Sequence, residues 1–300
     1  MSAGTLSVAS DSNLGSNTVT LAAGSTLDIT GATTIDNALA LAGDATINNS
    51  ANVTLSGVAS GASNFTKAGA GILTLSGTNT YSGSTTVSAG TLSIAGDSNL
   101  GSDTLNLSGG GLSITGATTI DNSISLTGSA SVANADAATL SGVISGTGNL
   151  AKSGAGTLTL SGTNTYTGTT SVGAGTLSIA SDNNIGSGSL NLSAATTLAV
   201  TGATTIDNAI ALSGDAVVNN SNALTLSGVI SGGFGITKTG AATLTLSGTN
   251  TYTGTTTVSA GTLRVASDAN LGGGGHGGGE GGRGGGECKD SGHVALHSAV

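Results

Sequence analysis

The sequence predicts an all-β protein, a right-handed parallel β-helix of about 12–13 rungs. Three observations carry this prediction: a long internal repeat, very short strand-like runs, and apolar positions returning at a fixed spacing. AGTL begins at Ala3, Ala89, Ala174 and Ala260, so the repeat is 85–86 residues long. GATTIDN (from Gly31, Gly116 and Gly202) and SGTNTY (from Ser76, Ser161 and Ser247) keep the same period independently. Three full copies result, 3–88, 89–173 and 174–259, with a fourth opening at 260 and ending near 271.

In the first copy the strand-like runs are TLSV (5–8), TVTL (18–21), TLDIT (26–30), ALAL (38–41), ATI (45–47), VTL (53–55), FTK (65–67), ILTL (72–75) and TTV (85–87). Each alternates side chains between two faces, as in Leu158-Thr159-Leu160. Gly, Asn, Asp and Ser fill the gaps, where turns need positive φ or side-chain-to-backbone bonds. Leu6, Leu27 and Ile47 recur at about 20 residues, the length of one β-helix turn. Four such turns are expected per copy, and residues 1–271 would form a rod on the order of 60 Å at about 4.8 Å per rung. The rival architecture is a string of immunoglobulin-like β-sandwiches, for which 85 residues is a fitting domain size. Missing linkers, the brevity of the runs and the absence of Trp and Pro speak against it.

Composition narrows the function classes. Aromatic residues are 2% and charged residues 7% of the chain, while Gly numbers 53. Rings therefore cannot build the core; stacked Val, Leu, Ile and Ala can. Six Lys and Arg against a net charge of −9 give no surface that would follow phosphates, which excludes nucleic acid as a partner. No apolar run reaches the roughly 20 residues of a membrane-spanning helix. The single Cys288 allows no internal disulfide.

LTLSGTNTYTGTTTVSAGTL (244–263), with its counterparts inside 71–95 and 156–180, resembles the passenger-associated transport repeat of bacterial type V secretion, also called the autotransporter-associated β-strand repeat. The resemblance runs through residues 3–271. It implies a secreted β-helical passenger at a Gram-negative cell surface, exported by a C-terminal membrane barrel, with the repeat aiding export and folding. The scarcity of Cys fits passage through a narrow pore. MSAGTLSVAS carries no basic-then-apolar leader and HVALHSAV no alternating membrane strands, so the expectation is a passenger segment without its own export machinery or membrane insertion. The function expected is a non-enzymatic stalk or adhesin-like element. Its partners would be host or bacterial surface glycans or proteins, or a second identical rod. A β-helical polysaccharide-active enzyme and a tandem-sandwich adhesin are the alternatives.

Side chains that recur once per copy are the site candidates. Tyr81, Tyr166 and Tyr252 suggest either a sugar-stacking ladder or rings covering a turn with their hydroxyls in water, the second being expected. Lys67, Lys152 and Lys238 are expected as solvated outward charges, the other idea being an isopeptide bond to an Asn. Asp36, Asp121 and Asp207, and Asp11, Asp97, Asp182 and Asp268, are expected to bond turn backbone. Calcium binding and glycan cleavage both need converging carboxylates, which near-identical repetition does not supply. No His lies in the repeats and Arg264 is their only Arg, so no catalytic residue, cofactor or metal is expected. Pairs such as Thr157 and Thr159 resemble ice-binding arrays but recur only about once per copy. Residues 272–300 abandon the pattern for a Gly-rich tail expected to be disordered; its Glu287, Cys288, His293 and His297 are read as adventitious ligands at most.

Overall fold

The computed structural model describes residues 3–273, and the metal-like set in the tail lies outside them. The chain divides into two compact units, Met1–Gly168 and Thr169–Val300. Both are parallel β-solenoids. Eight rungs stack along one face of the first unit and five along one face of the second. Every strand pair in both is parallel, which eliminates the antiparallel sandwich.

The first copy forms β1 (Gly4–Val8), β2 (Val19–Leu21), β3 (Ser25–Ile29), β4 (Thr33–Ile35), β5 (Leu39–Leu41), β6 (Ala45–Asn49), β7 (Val53–Leu55), β8 (Ala59–Gly61), β9 (Phe65–Ala68), β10 (Ile72–Leu75) and β11 (Thr85–Val87). The second opens with β12 (Thr91–Ile94), β13 (Leu105–Leu107) and β14 (Gly111–Ile114). The nine runs read from the sequence all appear, and β4 and β8 join them. Ala59-Ser60-Gly61 has too few apolar residues to announce a strand; its neighbours in the sheet impose it.

The first unit has three faces. One stacks β1, β3, β6, β9, β11 and β13; a second stacks β4, β7, β10, β12 and β14. The third stacks β2, β5 and β8, then resumes at Thr118–Ile120 after an interruption. Leu6, Leu27 and Ile47 do fall in register, as their spacing predicts. Inward columns such as Ile35–Leu55–Leu75–Ile94–Ile114 are buried throughout. At about 25 cal/mol per Å² of apolar surface, these stacks are the main source of stability.

One expectation needs correcting. Four turns per copy would return each repeat to the same face, yet β1 lies on the first face and its counterpart β12 on the second. A copy contains eleven strands, one 3-10 turn and the TNTY segment, which is thirteen wall segments on a three-sided frame. Each copy therefore makes four and a third turns. The second unit repeats the advance: Thr176–Ile179 and its counterpart Thr262–Val265 belong to different sheets.

Candidate functional site at the junction between copies

The wall is interrupted where one copy meets the next, and the residues singled out in the sequence gather there. Asn79-Thr80-Tyr81 runs extended on the third face beneath β8 without strand assignment. Thr80 N–H still donates to Ala59 O (2.8 Å) and Ser82 N–H to Gly61 O (2.9 Å). The next layer of that face is the 3-10 turn Asp97–Asn99 of the following copy. A 3-10 turn cannot offer a strand ladder, so side chains replace it.

Two asparagines make the replacement. Asn79 Oδ1 accepts from Ala59 N–H (2.8 Å), and Asn79 Nδ2 donates to Asn99 O. Asn99 Oδ1 accepts from Ala95 and Gly96 N–H, closing its own turn, while its Nδ2 donates back to Gly77 O (3.1 Å). Asn79 N–H donates to Ser98 O (2.8 Å). The second unit repeats the clasp: Asn250 Oδ1 accepts from Ile230 N–H, Asn250 Nδ2 donates to Asn270 O, and Asn270 Nδ2 donates to Gly248 O. All four side chains are buried.

The tyrosines correct their expected role. Tyr81, Tyr166 and Tyr252 lie inside the solenoid, at most 1% exposed. In TNTY the Asn and the Tyr share one parity, and that parity faces the core. The Tyr81 hydroxyl bonds Thr85 Oγ1 (2.7 Å) and that of Tyr252 bonds Thr256 Oγ1 (2.6 Å). Burial pushes both hydroxyl pKa values up, so both stay protonated. The space for the ring is made from the layer below: a Cβ at Gly101 would run into the Tyr81 side chain. Neither a sugar platform nor a wet hydroxyl is compatible with this placement.

The lysines are also corrected. Lys67, Lys152 and Lys238 point inward and are at most 1% exposed. Lys67 stands in the column Leu27–Ile47–Lys67–Val87–Leu107. The sequence carried the clue: in FTK, LAK and ITK the Lys has the parity of the apolar residue two places before it. Each ammonium reaches the adjacent corner. Lys67 Nζ donates to Ala68 O (2.8 Å) and Gly69 O (2.7 Å), and Lys152 Nζ to Gly154 O (2.9 Å). Lys238 Nζ donates to Gly240 O and to Ala260 O (3.2 Å) in the following copy. Desolvation lowers all three pKa values, that of Lys67 to about 8.

Three of the aspartates do bond turn backbone through their carboxylates, whereas Asp36, Asp121 and Asp207 take part through their backbone N–H. Asp11, Asp97 and Asp182 present Oδ1 to the N–H of Asp36, Asp121 and Asp207 one turn on, at 3.2–3.3 Å. Burial and the nearby Asp207 carboxylate raise the Asp182 pKa. No group of three or more His, Cys, Asp or Glu side chains converges among the described residues. Threonine columns are denser than expected: Thr26, Thr46, Thr66 and Thr86 are in register on successive rungs. The column beside them reads Asp28, Asn48, Ala68, so no paired Thr array forms.

The passenger-associated-transport-repeat family matches three segments of the chain, residues 65–94, 150–179 and 236–265. Each match opens on the apolar residue two before the buried lysine and closes on the last residue of the strand that follows AG. The family pattern therefore straddles the boundary between copies. No curated protein and no solved structure matched the chain.

Proposed function

We propose that this chain, three segments of which match the passenger-associated transport repeat, is part of a secreted autotransporter passenger at the Gram-negative cell surface and works there as a stalk. In this reading it is non-enzymatic, holds a distal segment away from the membrane, and aids its own export and folding. One observation carries the proposal: each copy advances the wall by a single face. A motif repeated in sequence is then turned onto a new side in every copy, which suits a spacer of uniform outer surface. A one-sided catalytic cleft or sugar-binding platform would need equivalent residues to line up. Export is served by the same plan, because each finished rung is the template on which the next one pairs.

Adhesion to surface glycans or proteins remains part of the proposal through the hydroxyl and amide columns of the outer wall. The test is a surface-display experiment. A recognisable head is carried on the chain above a membrane barrel, and whole copies are deleted. The head should remain displayed and move toward the membrane by about 21 Å per copy, from four and a third rungs at about 4.8 Å each. A head whose height does not change with the number of copies sinks the stalk. Loss of glycan binding with height unchanged would instead favour an adhesive wall.

A further inference from the structure

We infer that the number of copies sets the side to which the chain beyond them faces: each copy turns it by one third of a circle, and three copies bring it back. A stalk of this kind aims its distal segment as well as raising it. The aiming rests on the stalk reading; the turning rests on the fold alone. The first observation is that the step has one direction. In the first unit the chain visits the first, second and third faces in that order through β3, β4 and β5, and the step from β1 to β12 goes from the first face to the second. In the second unit the chain passes through Thr197–Val200, Thr204–Ile206 and Ile210–Leu212 in that order. There the step goes from the sheet of Thr197–Val200, which holds Thr176–Ile179, to that of Thr204–Ile206, which holds Thr262–Val265. Both steps follow the chain by one face, so successive steps add.

The second observation is that the step does not depend on residue count. The copies differ in length at one corner. Five residues separate Leu21 from Leu27 and Leu192 from Leu198, but four separate Leu107 from Leu112. The strands after this corner keep their register all the same: Leu27 pairs with Leu6, Leu112 with Leu92 and Leu198 with Leu177. In the longer corners a left-handed residue takes up the excess, Gly24 at φ 72° and Ala195 at φ 59°. Ala195 holds that conformation without being Gly, so the corner imposes it. The next residue closes the loop with its hydroxyl, Ser25 Oγ donating to Ala22 O (2.7 Å) and Thr196 Oγ1 to Ser193 O (2.6 Å). Both side chains are buried.

The third observation is that the joint between copies is fixed. The clasp of Asn79 and Asn99 in the first unit and that of Asn250 and Asn270 in the second bond equivalent atoms. A copy added between two others brings its own TNTY and its own 3-10 turn, so it meets both neighbours through this clasp. Its thirteen wall segments are one more than four turns of a three-sided frame hold, and that surplus is the third of a circle.

The experiment measures distances between pairs of spin labels in the full 300-residue chain, with Cys288→Ser removing its own thiol. One label is carried by Ser113→Cys, on the second face. Its partner is carried by Thr20→Cys, Thr26→Cys or Thr34→Cys, on the third, first and second faces in turn. In the parent, Ser113 stands in the column Thr34–Thr54–Thr74–Ser93–Ser113, so Thr34 is its nearest partner. One extra 89–173 inserted after Ser88 should make Thr20 the nearest, and two should make Thr26 the nearest, each copy adding about 21 Å along the axis. Duplicating a single turn, residues 47–66, should keep Thr34 nearest and add only about 5 Å. Removing Gly24, which gives the first copy the length of the second, should also keep Thr34 nearest. Thr34 remaining nearest after copies are inserted overturns the inference, and leaves the stalk standing if the distances still grow. Distances that do not grow sink the stalk reading as well. A new nearest partner on removing Gly24 also overturns the inference, since residue count would then set the angle.

Discussion

The plain wall and the junction solve the same problem by different means. In the wall, β4, β7, β10, β12 and β14 stack through backbone ladders over an aliphatic column, and the outward column reads Thr34, Thr54, Thr74, Ser93, Ser113. At the junction the ladder fails for two layers, and Asn79, Asn99, Tyr81 and Gly101 take over its work. Backbone pairing asks little of sequence; side-chain pairing asks for particular atoms. The copies reflect this. TNTY is unchanged in all three, while the wall position Ala59 corresponds to Ile144 and Ile230, and Phe65 to Leu150 and Ile236.

Mutations should separate the two regions by size of effect. Tyr81→Ala empties a fully buried ring site and breaks the bond to Thr85. It should cost about 3–5 kcal/mol in urea unfolding. Asn79→Ala strands the Ala59 amide and the Asn99 carbonyl inside the wall and should cost about 2–4 kcal/mol. Thr66→Ala, on the outside of β9, should stay within about 0.5 kcal/mol. If Thr66→Ala proved as damaging as Asn79→Ala, the distinction between wall and junction would fail.

A subtler comparison lies inside the core of the first copy. Phe65 packs edge-to-face on Tyr81, with centroids 6.1 Å apart, beside a small apolar cavity lined by Leu39, Ala59 and Leu75. The ring and the small Ala59 form a compensating pair where the second copy has Ile144 and Leu150. Ala59→Ile alone should overpack the site by about 1–3 kcal/mol. Together with Phe65→Leu it should come within about 1 kcal/mol of the parent, and a double-mutant cycle would measure the coupling. Additive effects would mean that the two side chains do not share the space.

Much of this was legible in the sequence. Period, alternation and the 20-residue return of Leu6, Leu27 and Ile47 lead directly to stacked parallel strands, because each reflects a regular backbone. The one-face advance was harder to see. A copy of 85 residues divides as readily into four turns as into four and a third, and only strand pairing distinguishes them. The junction was misread for a different reason. Lys and Tyr carry polar ends, and composition assigns polar ends to water. Parity, read from Phe65 to Lys67 or from Asn79 to Tyr81, sends both inward. What parity alone does not reveal is that corner carbonyls and a Thr hydroxyl wait there to accept their hydrogen bonds.

Those core lysines give the finest test, because it reads a slope and not a loss. Lys67 releases its proton at about 8 in the folded chain, against an ordinary value of 10.5 once unfolded. Between those values the unfolded chain holds a proton that the folded chain has given up, so stability rises with pH across the interval. The burial penalty on the ammonium is fully present below about 8 and disappears above 10.5. Tyr81 and Tyr252 act in the opposite sense above about 10, where the unfolded phenols ionise and the buried ones resist. Urea midpoints should therefore climb from pH 7.5 to about 9.5 and then level off. Lys67→Met should flatten part of the climb, and replacing Lys152 and Lys238 as well should remove most of it. The absolute stability of these variants reflects lost bonds to Ala68 and Gly69 too, but the slope does not. A climb that survives the triple replacement would place these ammonium groups in water, and the junction would lose its inward lysine.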